Sequence, residues 1–293
     1  MPYALVLHCI APDAPITPMD LQGQKGLALF LEGLIEKQDA ALAARLHAPR
    51  QSKPFTTAIL PRQLPPGSES RRDRTRRHSW SAPEIRELQL RLTLLDDTLY
   101  APVSQFFLQH LDSIPMLHLG QAHLAVARVL TTPESGEPWA GVARFTDLLA
   151  GSSETDTAWT IQFASPTVFK SGDADVPLPI PRLCFQSWLN SWEEHAPTPF
   201  FQDRAERLAF LSEIVERQVS VSYTHLHLAQ DSLYFDGVRT REQGFVGTCR
   251  FAVRPTRVAP QPRQLLATLA AYSYYAGTGR KTTMGMGLTR PYR

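Results

Sequence analysis

The sequence predicts an α+β protein made of two tandem domains, each with the element order β-α-β-β-α-β and each able to bury its own core. Three observations support this prediction: the length of 293 residues, the 43% of apolar residues, and the same order of strand-like and helix-like segments in both halves. The 24 prolines and 16 glycines indicate many turns between those segments rather than a disordered chain.

The first half supplies one complete set of segments. Short apolar runs and alternation of apolar with polar residues indicate strands, and apolar residues recurring every three to four positions indicate helices. The set consists of a strand at Tyr3–Ile10, a helix at Leu21–Ala44, strands at Phe55–Leu60 and Leu88–Leu94, a helix at Thr98–His110, and a strand at Leu117–Val129. This is the order of the ferredoxin-like, or RRM-like, fold.

A polar, turn-rich segment at Thr131–Pro138 separates the halves and predicts domains at residues 1–130 and 131–293. The second half repeats the order with insertions. Its segments are a strand at Ala158–Phe163, helices at Arg182–Glu194 and Asp203–Arg217, a strand at Val219–Leu228, a hairpin at Leu233–Arg239 turned at Asp236-Gly237, a strand at Phe245–Val253, a helix at Gln264–Ala276, and a strand at Met284–Thr289. We therefore expect two ferredoxin-like domains in tandem.

Positive charge is concentrated in two segments, although the formal net charge is only +2. Arg62–Arg77 carries six arginines against two acids, and Arg280–Arg293 carries four cations and no acid. Such local basic segments on a nearly neutral protein favour a polyanionic partner. The alternative is that both are solvated surface loops.

Several classes of protein are disfavoured. Cys9, Cys184 and Cys249 are isolated in sequence, which indicates neither a disulfide framework nor a zinc knuckle. The segment Met1–Ile10 lacks the basic start and the length of a signal peptide. No apolar run approaches the ~18 residues of a membrane span. We therefore expect a soluble, cytoplasmic protein that contacts no membrane, and the cysteines indicate no metal or cofactor site.

The most informative segment is a glycine-rich loop at residues 277–287, GTGRKTTMGMG. Its two Gly-x-Gly pairs bracket cations and hydroxyls: Gly277, Gly279, Arg280, Lys281, Thr282, Thr283, Gly285 and Gly287. Glycine allows backbone N–H groups to approach a phosphate closely, and the cations and hydroxyls add charge and donors. The pattern predicts a phosphate-binding loop; the alternative is a tight helix-to-strand connection that needs positive φ angles.

The loop differs from the common nucleotide-binding motifs. It lacks the spacing of a Walker A loop, and it follows a predicted helix and precedes a predicted strand, the reverse of P-loop and Rossmann sites. An enzyme that uses this loop for a mononucleotide is therefore the weaker alternative.

Together with the preceding helix end, YSYYA at 272–276, the loop resembles the C-terminal signature of the RAMP superfamily. Three further segments resemble, in the same order, the CRISPR precursor-RNA processing endoribonucleases of that superfamily. They are Leu46-His47 with Lys53-Pro54-Phe55-Thr56, the segment Phe163–Phe169 (FASPTVF), and the segment Phe245–Phe251 (FVGTCRF). The resemblance covers most of the chain, and Arg62–Trp80 is its most individual part.

The resemblance implies cleavage of RNA by its own 2′-OH, which leaves a 2′,3′-cyclic phosphate and a 5′-OH and requires no metal. It implies that His47 is the general acid/base and that Lys53 is the cation that stabilises the phosphorane, with Arg50 able to share that role. A surface or core position is the alternative for a lone histidine. The chain has no tyrosine between Tyr3 and Tyr100, so the tyrosine that some members carry on the first helix is missing.

The remaining expectations concern the RNA. Five arginines of the first basic segment are expected to contact its phosphates: Arg71, Arg72, Arg74, Arg76 and Arg77. Trp80 would stack on a base or anchor this segment in the core. The partners expected are CRISPR repeat RNA, as precursor and as retained guide product, and possible subunits of an effector complex. The alternative function is a non-catalytic RAMP subunit that only binds guide RNA.

Overall fold

The computed structural model describes residues 1–17, 20, 31, 33–36, 38–47, 53–60, 85–109, 113–133, 136–235 and 238–292. The strands are β1 (Tyr3–Ile10), β2 (Phe55–Ile59), β3 (Glu87–Leu94), β4 (Met116–Leu119), β5 (Ala122–Leu130), β6 (Gly141–Val142), β7 (Ala158–Thr167), β8 (Phe169–Ser171), β9 (Ala174–Val176), β10 (Ser220–Phe235), β11 (Val238–Ala252) and β12 (Thr289–Tyr292). The helices are α1 (Ala40–His47), α2 (Tyr100–Leu108), α3 (Phe145–Ala150), α4 (Pro181–His195), α5 (Arg204–Ala209) and α6 (Pro260–Ala276). A π-helical segment follows α5 at Phe210–Glu216, and 3₁₀ turns occur at Asp97–Leu99 and Thr282–Met284.

The chain divides into two compact units. The first comprises residues 1–142, 229–242 and 283–285, and the second comprises residues 143–228, 243–282 and 286–293. The predicted boundary near residue 131 stays a prediction.

The first unit is built on an antiparallel sheet with the strand order β2-β3-β1-β5-β4, and β6 pairs with the start of β1. Without the edge strand β4 and the short β6, this is the strand arrangement of a ferredoxin-like fold. Alternation along the strands places Leu5, Leu7 and Leu92 in one core with Leu46 of α1 and Val103 of α2. Each such fully buried side chain contributes about 2 kcal/mol from the removal of apolar surface from water.

The opposite face of the first sheet is covered by the chain itself. Arg91 of β3 lies on that face, opposite Val6 of β1, and is only 1% exposed. Its Nε donates a hydrogen bond to the Trp139 carbonyl at 2.9 Å, and its guanidinium lies 5.6 Å from the centre of the Trp139 ring. The carboxylate of buried Glu137 accepts hydrogen bonds from the Trp139 N–H and from the Gln89 amide. The segment that contains Glu137 and Trp139 therefore covers the outer face around Arg91.

Two elements of the first half differ from the prediction. The strand predicted at Leu117–Val129 is the hairpin β4–β5, because Gly120 adopts a positive φ of 62° and reverses the chain. The predicted helix Leu21–Ala44 is interrupted at Asp39, whose carboxylate accepts a hydrogen bond from the Leu42 N–H at 2.9 Å. Residues 21–30 lie outside the described residues.

The second unit has a four-stranded sheet with the order β10-β11-β7-β12, again the ferredoxin-like arrangement. Helices α4 and α6 pack together, and Trp188 of α4 forms edge-to-face contacts with Phe185 and Phe251 at ring-centroid distances of 4.9 and 6.1 Å. The prediction of two tandem ferredoxin-like domains is confirmed.

The second half also departs from the prediction in places. Three predicted segments merge into the long neighbouring strands β10 and β11, whose connecting residues Asp236 and Gly237 lie outside the described residues. The small hairpin β8–β9 and helix α3 were not predicted. The last strand begins at Thr289 rather than Met284, because Gly285 and Gly287 have φ angles of 86° and 68° that a strand does not tolerate.

Burial explains the role of the cysteines. All three thiols are buried and unpaired. Burial raises the pKa of Cys9 and of Cys249 to about 12, and it also raises the pKa of Cys184 well above its ordinary value. These cysteines are therefore protonated packing residues. Within the described part of the chain, no helix combines the length and apolarity that a membrane crossing needs.

Candidate functional site

The glycine-rich loop begins where α6 ends. Gly277 has a φ of 66°, which lets the chain leave the helix while its N–H still donates to the Ser273 carbonyl at 3.0 Å. Thr289, at the far end of the loop, donates through its hydroxyl to the same carbonyl at 2.7 Å. The two ends of the loop are therefore fastened to one point on the last turn of α6.

The two sides of the loop run unusually close together. The Thr278 N–H donates to the Gly287 carbonyl at 2.8 Å, and a Cβ atom on Gly287 would lie 2.0 Å from the Thr278 carbonyl oxygen. Gly287 in turn donates to the Pro166 carbonyl at 3.0 Å. Only glycine allows this backbone approach, so Gly287 is required by packing.

Segments predicted to share in the family likeness converge on the loop. The Val168 carbonyl accepts from the Arg280 N–H at 3.0 Å, and the Ser165 hydroxyl accepts from the Leu288 N–H at 2.9 Å. A Cβ atom on Gly244, just before the FVGTCRF segment, would lie 2.4 Å from the Thr167 nitrogen. The FASPTVF segment thus supplies the surface against which the loop packs.

Helix α4 holds the loop through two side chains. The Ser187 hydroxyl accepts a hydrogen bond from the Gly279 N–H at 2.9 Å. The Trp188 indole N–H donates to the Thr278 hydroxyl at 2.8 Å, and that hydroxyl lies 3.2 Å from the hydroxyl of Thr289. Trp188, Thr278 and Thr289 are fully buried, so these hydrogen bonds form in a low-dielectric interior.

These contacts define what the loop offers to a ligand. The backbone N–H groups of Gly277, Thr278, Gly279, Arg280 and Gly287 all donate to acceptors within the protein. The side chains of residues 280–284 are half-buried, whereas residues 285–289 are buried. The glycines therefore build a rigid support, and the apex at residues 280–284 is the part that remains accessible.

One of the two cations of the apex, Arg280, is held by the β8–β9 hairpin. Arg280 donates to the carboxylate of Asp175 at 2.6 Å, and Lys170 lies 3.5 Å from the same carboxylate. Desolvation would raise the pKa of Asp175, but the positive charges of Arg280 and Lys170 outweigh it and lower that pKa below its ordinary value. Asp175 is thus ionised at neutral pH and competes with any other anion for Arg280.

The apex is also joined to the strand that follows Lys53. The hydroxyl of Thr57 in β2 donates to the Thr283 carbonyl at 2.6 Å, a contact within the first unit. Lys53 is half-buried and lies two residues before the start of β2. His47 is the last residue of α1, three residues beyond the end of the helix predicted at Leu21–Ala44.

The remaining predicted site residues lie outside the described residues. They are Arg50, Arg71, Arg72, Arg74, Arg76 and Arg77, together with Trp80. The side chain of His47 likewise falls outside the description. The assignment of a catalytic role to His47 and Lys53, and of RNA contacts to the arginines, stays a prediction.

Sequence reasoning missed the residues that hold the loop. Ser187, Trp188 and Asp175 carry no local signal, because their partners lie about a hundred positions later in the chain, as the separation of 92 residues between Ser187 and Gly279 illustrates. Ser165 lies inside the FASPTVF segment, so the resemblance marked it without revealing its function. Among the described residues, no three His, Cys, Asp or Glu side chains form a group able to hold a metal ion.

Comparison with known proteins agrees with this architecture. Family models match residues 1–150, described as the CRISPR Cas6 N-terminal domain, and residues 161–289, described as CRISPR-associated endoribonuclease Cas6. A CRISPR-associated endoribonuclease Cas6 from Streptococcus thermophilus is 31% identical over 139 residues, which are 46% of this chain and 51% of that protein. The chain thus spans about half the length of the curated relative that it matches.

Solved structures extend the likeness over the whole chain. A Cas6 product complex superposes with a TM-score of 0.76 and 30% identity over 100% of both chains. Thermus thermophilus Cas6 gives a TM-score of 0.69 and 29% identity over 100% of this chain and 98% of its own.

Two ferredoxin-like units, with a glycine-rich loop at the end of the last helix, define the class of fold to which the chain belongs. More specifically, this chain belongs to the Cas6 family of CRISPR-associated endoribonucleases. The predicted relationship to the CRISPR precursor-RNA processing endoribonucleases is therefore confirmed at the level of the family.

Proposed function

We propose that this protein binds CRISPR repeat RNA and cleaves the precursor transcript within its repeats without a metal ion. The family membership carries this proposal, because the matching family is described as an endoribonuclease and a relative covering the whole chain is a Cas6 product complex. The half-exposed apex at residues 280–284, with its two cations and two hydroxyls, gives the RNA a polar contact surface.

In the proposed reaction, the 2′-oxygen of the nucleotide before the cut attacks the adjacent phosphorus. The new P–O2′ bond forms as the P–O5′ bond breaks, which leaves a 2′,3′-cyclic phosphate and a 5′-OH. One proton leaves the 2′-OH and one is delivered to the leaving 5′-oxygen. His47 is proposed as the general acid/base, since an imidazole exchanges protons near neutral pH. Lys53 is proposed to stabilise the negative phosphorane, with Arg50 sharing that charge.

The hydrogen bond between Thr57 and Thr283 supports this division of roles. It ties the strand that follows Lys53 to Thr283 within the first unit, so an RNA phosphate bound at Thr283 would lie near the segment that carries the proposed catalytic residues. The arginines at 71, 72, 74, 76 and 77 are proposed to bind the RNA backbone without reading its sequence.

The wider assignments follow from this reaction. The mature guide RNA is proposed to stay bound after cleavage and to pass to subunits of an effector complex in the cytoplasm. The domains are proposed to be residues 1–130, with the catalytic histidine, and residues 131–293, with the glycine-rich loop.

Cleavage in EDTA is the decisive experiment. The wild-type protein is incubated with its repeat RNA in EDTA, beside a substrate with a 2′-deoxy nucleotide before the cut. We expect the all-RNA substrate to be cut and the deoxy substrate to bind but remain intact. Intact all-RNA substrate would favour the alternative of a non-catalytic RNA-binding subunit, and cleavage of the deoxy substrate would exclude the 2′-OH mechanism.

Substitutions at the proposed site test the residue assignments. His47→Ala is expected to reduce the cleavage rate by about 100-fold or more while RNA binding is retained. His118→Ala is the matched control, because His118 is an exposed histidine on the β4–β5 hairpin of the same unit. Normal cleavage by His47→Ala would show that the catalytic histidine has been misassigned.

A further inference from the structure

The outer face of the second sheet presents two rows of side chains. The register places Arg250 of β11, Thr160 of β7 and Tyr292 of β12 side by side in one row. Side chains alternate between the faces of a strand, so the buried neighbours Trp159 and Ile161 point to the opposite, core face.

The second row lies on the same face, two residues further along each strand. It consists of Thr248, Gln162 and Arg290. The Arg290 guanidinium donates to the Gln162 side-chain oxygen at 3.1 Å and lies 5.4 Å from the centre of the Tyr292 ring. A cation, an aromatic ring and an amide are therefore already ordered against one another.

The part of this face formed by β7, β12 and residues 245–252 carries only positive charge. Arg250 is exposed, Tyr292 is 47% exposed, and the other four side chains of the two rows (Thr160, Gln162, Thr248 and Arg290) are half-buried. Strands β7 and β12 and residues 245–252 contain no aspartate or glutamate. A negatively charged ligand would therefore meet no opposing carboxylate on these strands.

The first unit has an arginine at the position equivalent to Arg250, and its guanidinium is both hydrogen-bonded and covered within the protein. Arg91 lies on the third strand of its ferredoxin-like unit and faces outward, as Arg250 does on the third strand of the second. The flat ring of Trp139 lies over the Arg91 guanidinium, and a carbonyl accepts from its Nε. Arg250 is exposed instead, so its flat guanidinium is accessible to an external ring.

We propose that this outer face binds a short single-stranded segment of the repeat RNA outside the cleaved position. A base stacks on the Arg250 guanidinium or on the Tyr292 ring, and Arg290 pairs with a phosphate. Single strands fit such a face because their splayed bases reach planar side chains, whereas a duplex keeps its bases stacked inside. This inference rests on the proposed function, since it names a second contact with the same RNA.

Fluorescence anisotropy with a short single-stranded oligoadenylate tests the inference in the full-length protein. We expect Arg250→Ala and Tyr292→Ala each to weaken binding by about 10-fold, and Tyr292→Phe to stay within about 2-fold because it retains the stacking ring. Arg257→Ala is the charge-matched control: Arg257 is exposed and follows β11 but lies outside the sheet, so its loss is expected to change affinity by about 2-fold at most.

The outcomes distinguish this inference from the proposed function. If Arg250→Ala and Tyr292→Ala bind the oligoadenylate no more weakly than Arg257→Ala, the face does not bind RNA, whether or not the wild type cleaves repeat RNA in EDTA. If binding depends on Arg250 and Tyr292 while the wild type leaves repeat RNA intact, the proposal that this face binds RNA is supported. The proposal that the protein is a nuclease is then contradicted. Equal loss in Tyr292→Phe and Tyr292→Ala would also overturn the stacking arrangement.

Discussion

The two sheets of this protein share a strand arrangement but treat their outer faces in opposite ways. In the first unit, Arg91 is 1% exposed beneath Trp139, and the chain itself covers the face. In the second unit, Arg250 occupies the matching strand and is exposed. The two arginines therefore lie on corresponding strands of the repeated fold. They differ because a connecting segment covers Arg91, whereas Arg250 remains accessible to a ligand.

The two units differ in a second respect that follows from the first. The first unit uses its connecting segment to bury charge on the sheet, whereas the second concentrates its buried polar contacts around the glycine-rich loop, through Ser187, Trp188 and Thr278. Substitutions in matched pairs, one in each unit, test this difference directly.

The largest effect is expected for Gly287→Ala. The new Cβ atom would lie 2.0 Å from a backbone oxygen, and the φ of 68° adds strain for any residue with a side chain. We expect a loss of about 3 kcal/mol or more in the free energy of unfolding, measured by urea denaturation. Gly136→Ala is the control in the first unit, since Gly136 has a φ of 78° but no atom within 4 Å of its added Cβ. Equal losses in the two variants would mean that the close approach in the loop does not govern stability.

The second effect compares the two arginines. Arg91→Ala removes a buried side chain and leaves the Trp139 carbonyl without its donor, so we expect a loss of about 2–4 kcal/mol in the free energy of unfolding. Arg250→Ala removes an exposed side chain and is expected to change that free energy by about 0.5 kcal/mol at most. A similar destabilisation in both variants would end the distinction between a closed and an open face.

Much of this architecture is predictable from local pattern. The alternation at Leu88–Leu94 predicts β3, and the repeated order of segments predicts both ferredoxin-like units. Both predictions succeed because the spacing of apolar residues along each element matches the face that the element buries. The glycine-rich segment is also recognisable from local sequence, because four glycines in eleven residues indicate unusual backbone geometry.

Other features depend on contacts that local pattern does not encode. The run at Leu117–Val129 stays apolar on one face through a chain reversal, so it predicts one strand where the structure has the hairpin β4–β5. The alternating pattern of β3 does not reveal that Arg91 is buried, because Trp139 covers it from 48 residues away. The likeness to the family marked the glycine-rich loop, but the contacts through which the predicted helix α4 holds it became evident only from the structure.

A smaller effect is expected for Ser187→Ala. Loss of the hydroxyl leaves the Gly279 N–H without its acceptor, which is expected to cost about 1–2 kcal/mol in the free energy of unfolding. Because the apex follows Gly279 directly, we also expect repeat RNA to bind a few-fold more weakly, as measured by anisotropy. Ser187→Thr keeps the hydroxyl and is expected to restore both quantities. Wild-type RNA affinity in Ser187→Ala would mean that this hydrogen bond supports the fold without positioning the apex.

The smallest effect concerns the carboxylate that competes for the apex. The pKa of Asp175 is lowered, so its ion pairs with Arg280 and Lys170 are formed above its ordinary, unfolded pKa of 3.8 and are lost only as the pH falls through the lower folded value. At neutral pH, Asp175→Asn removes this anion, and we expect repeat RNA to bind about 2- to 3-fold more tightly at low salt, with the gain disappearing at high salt.

Asp173→Asn removes the same formal charge two residues away, on the turn of the β8–β9 hairpin, where the backbone carbonyl rather than the carboxylate accepts from Lys170. If it tightens RNA binding as much as Asp175→Asn does, the gain reflects net charge alone. A larger gain for Asp175→Asn would instead show that the second unit restrains a cation of its glycine-rich loop with an exposed, reversible ion pair. The first unit holds its outward arginine by permanent burial, so the contrast between the two units would then extend from their sheets to the way each one controls its cations.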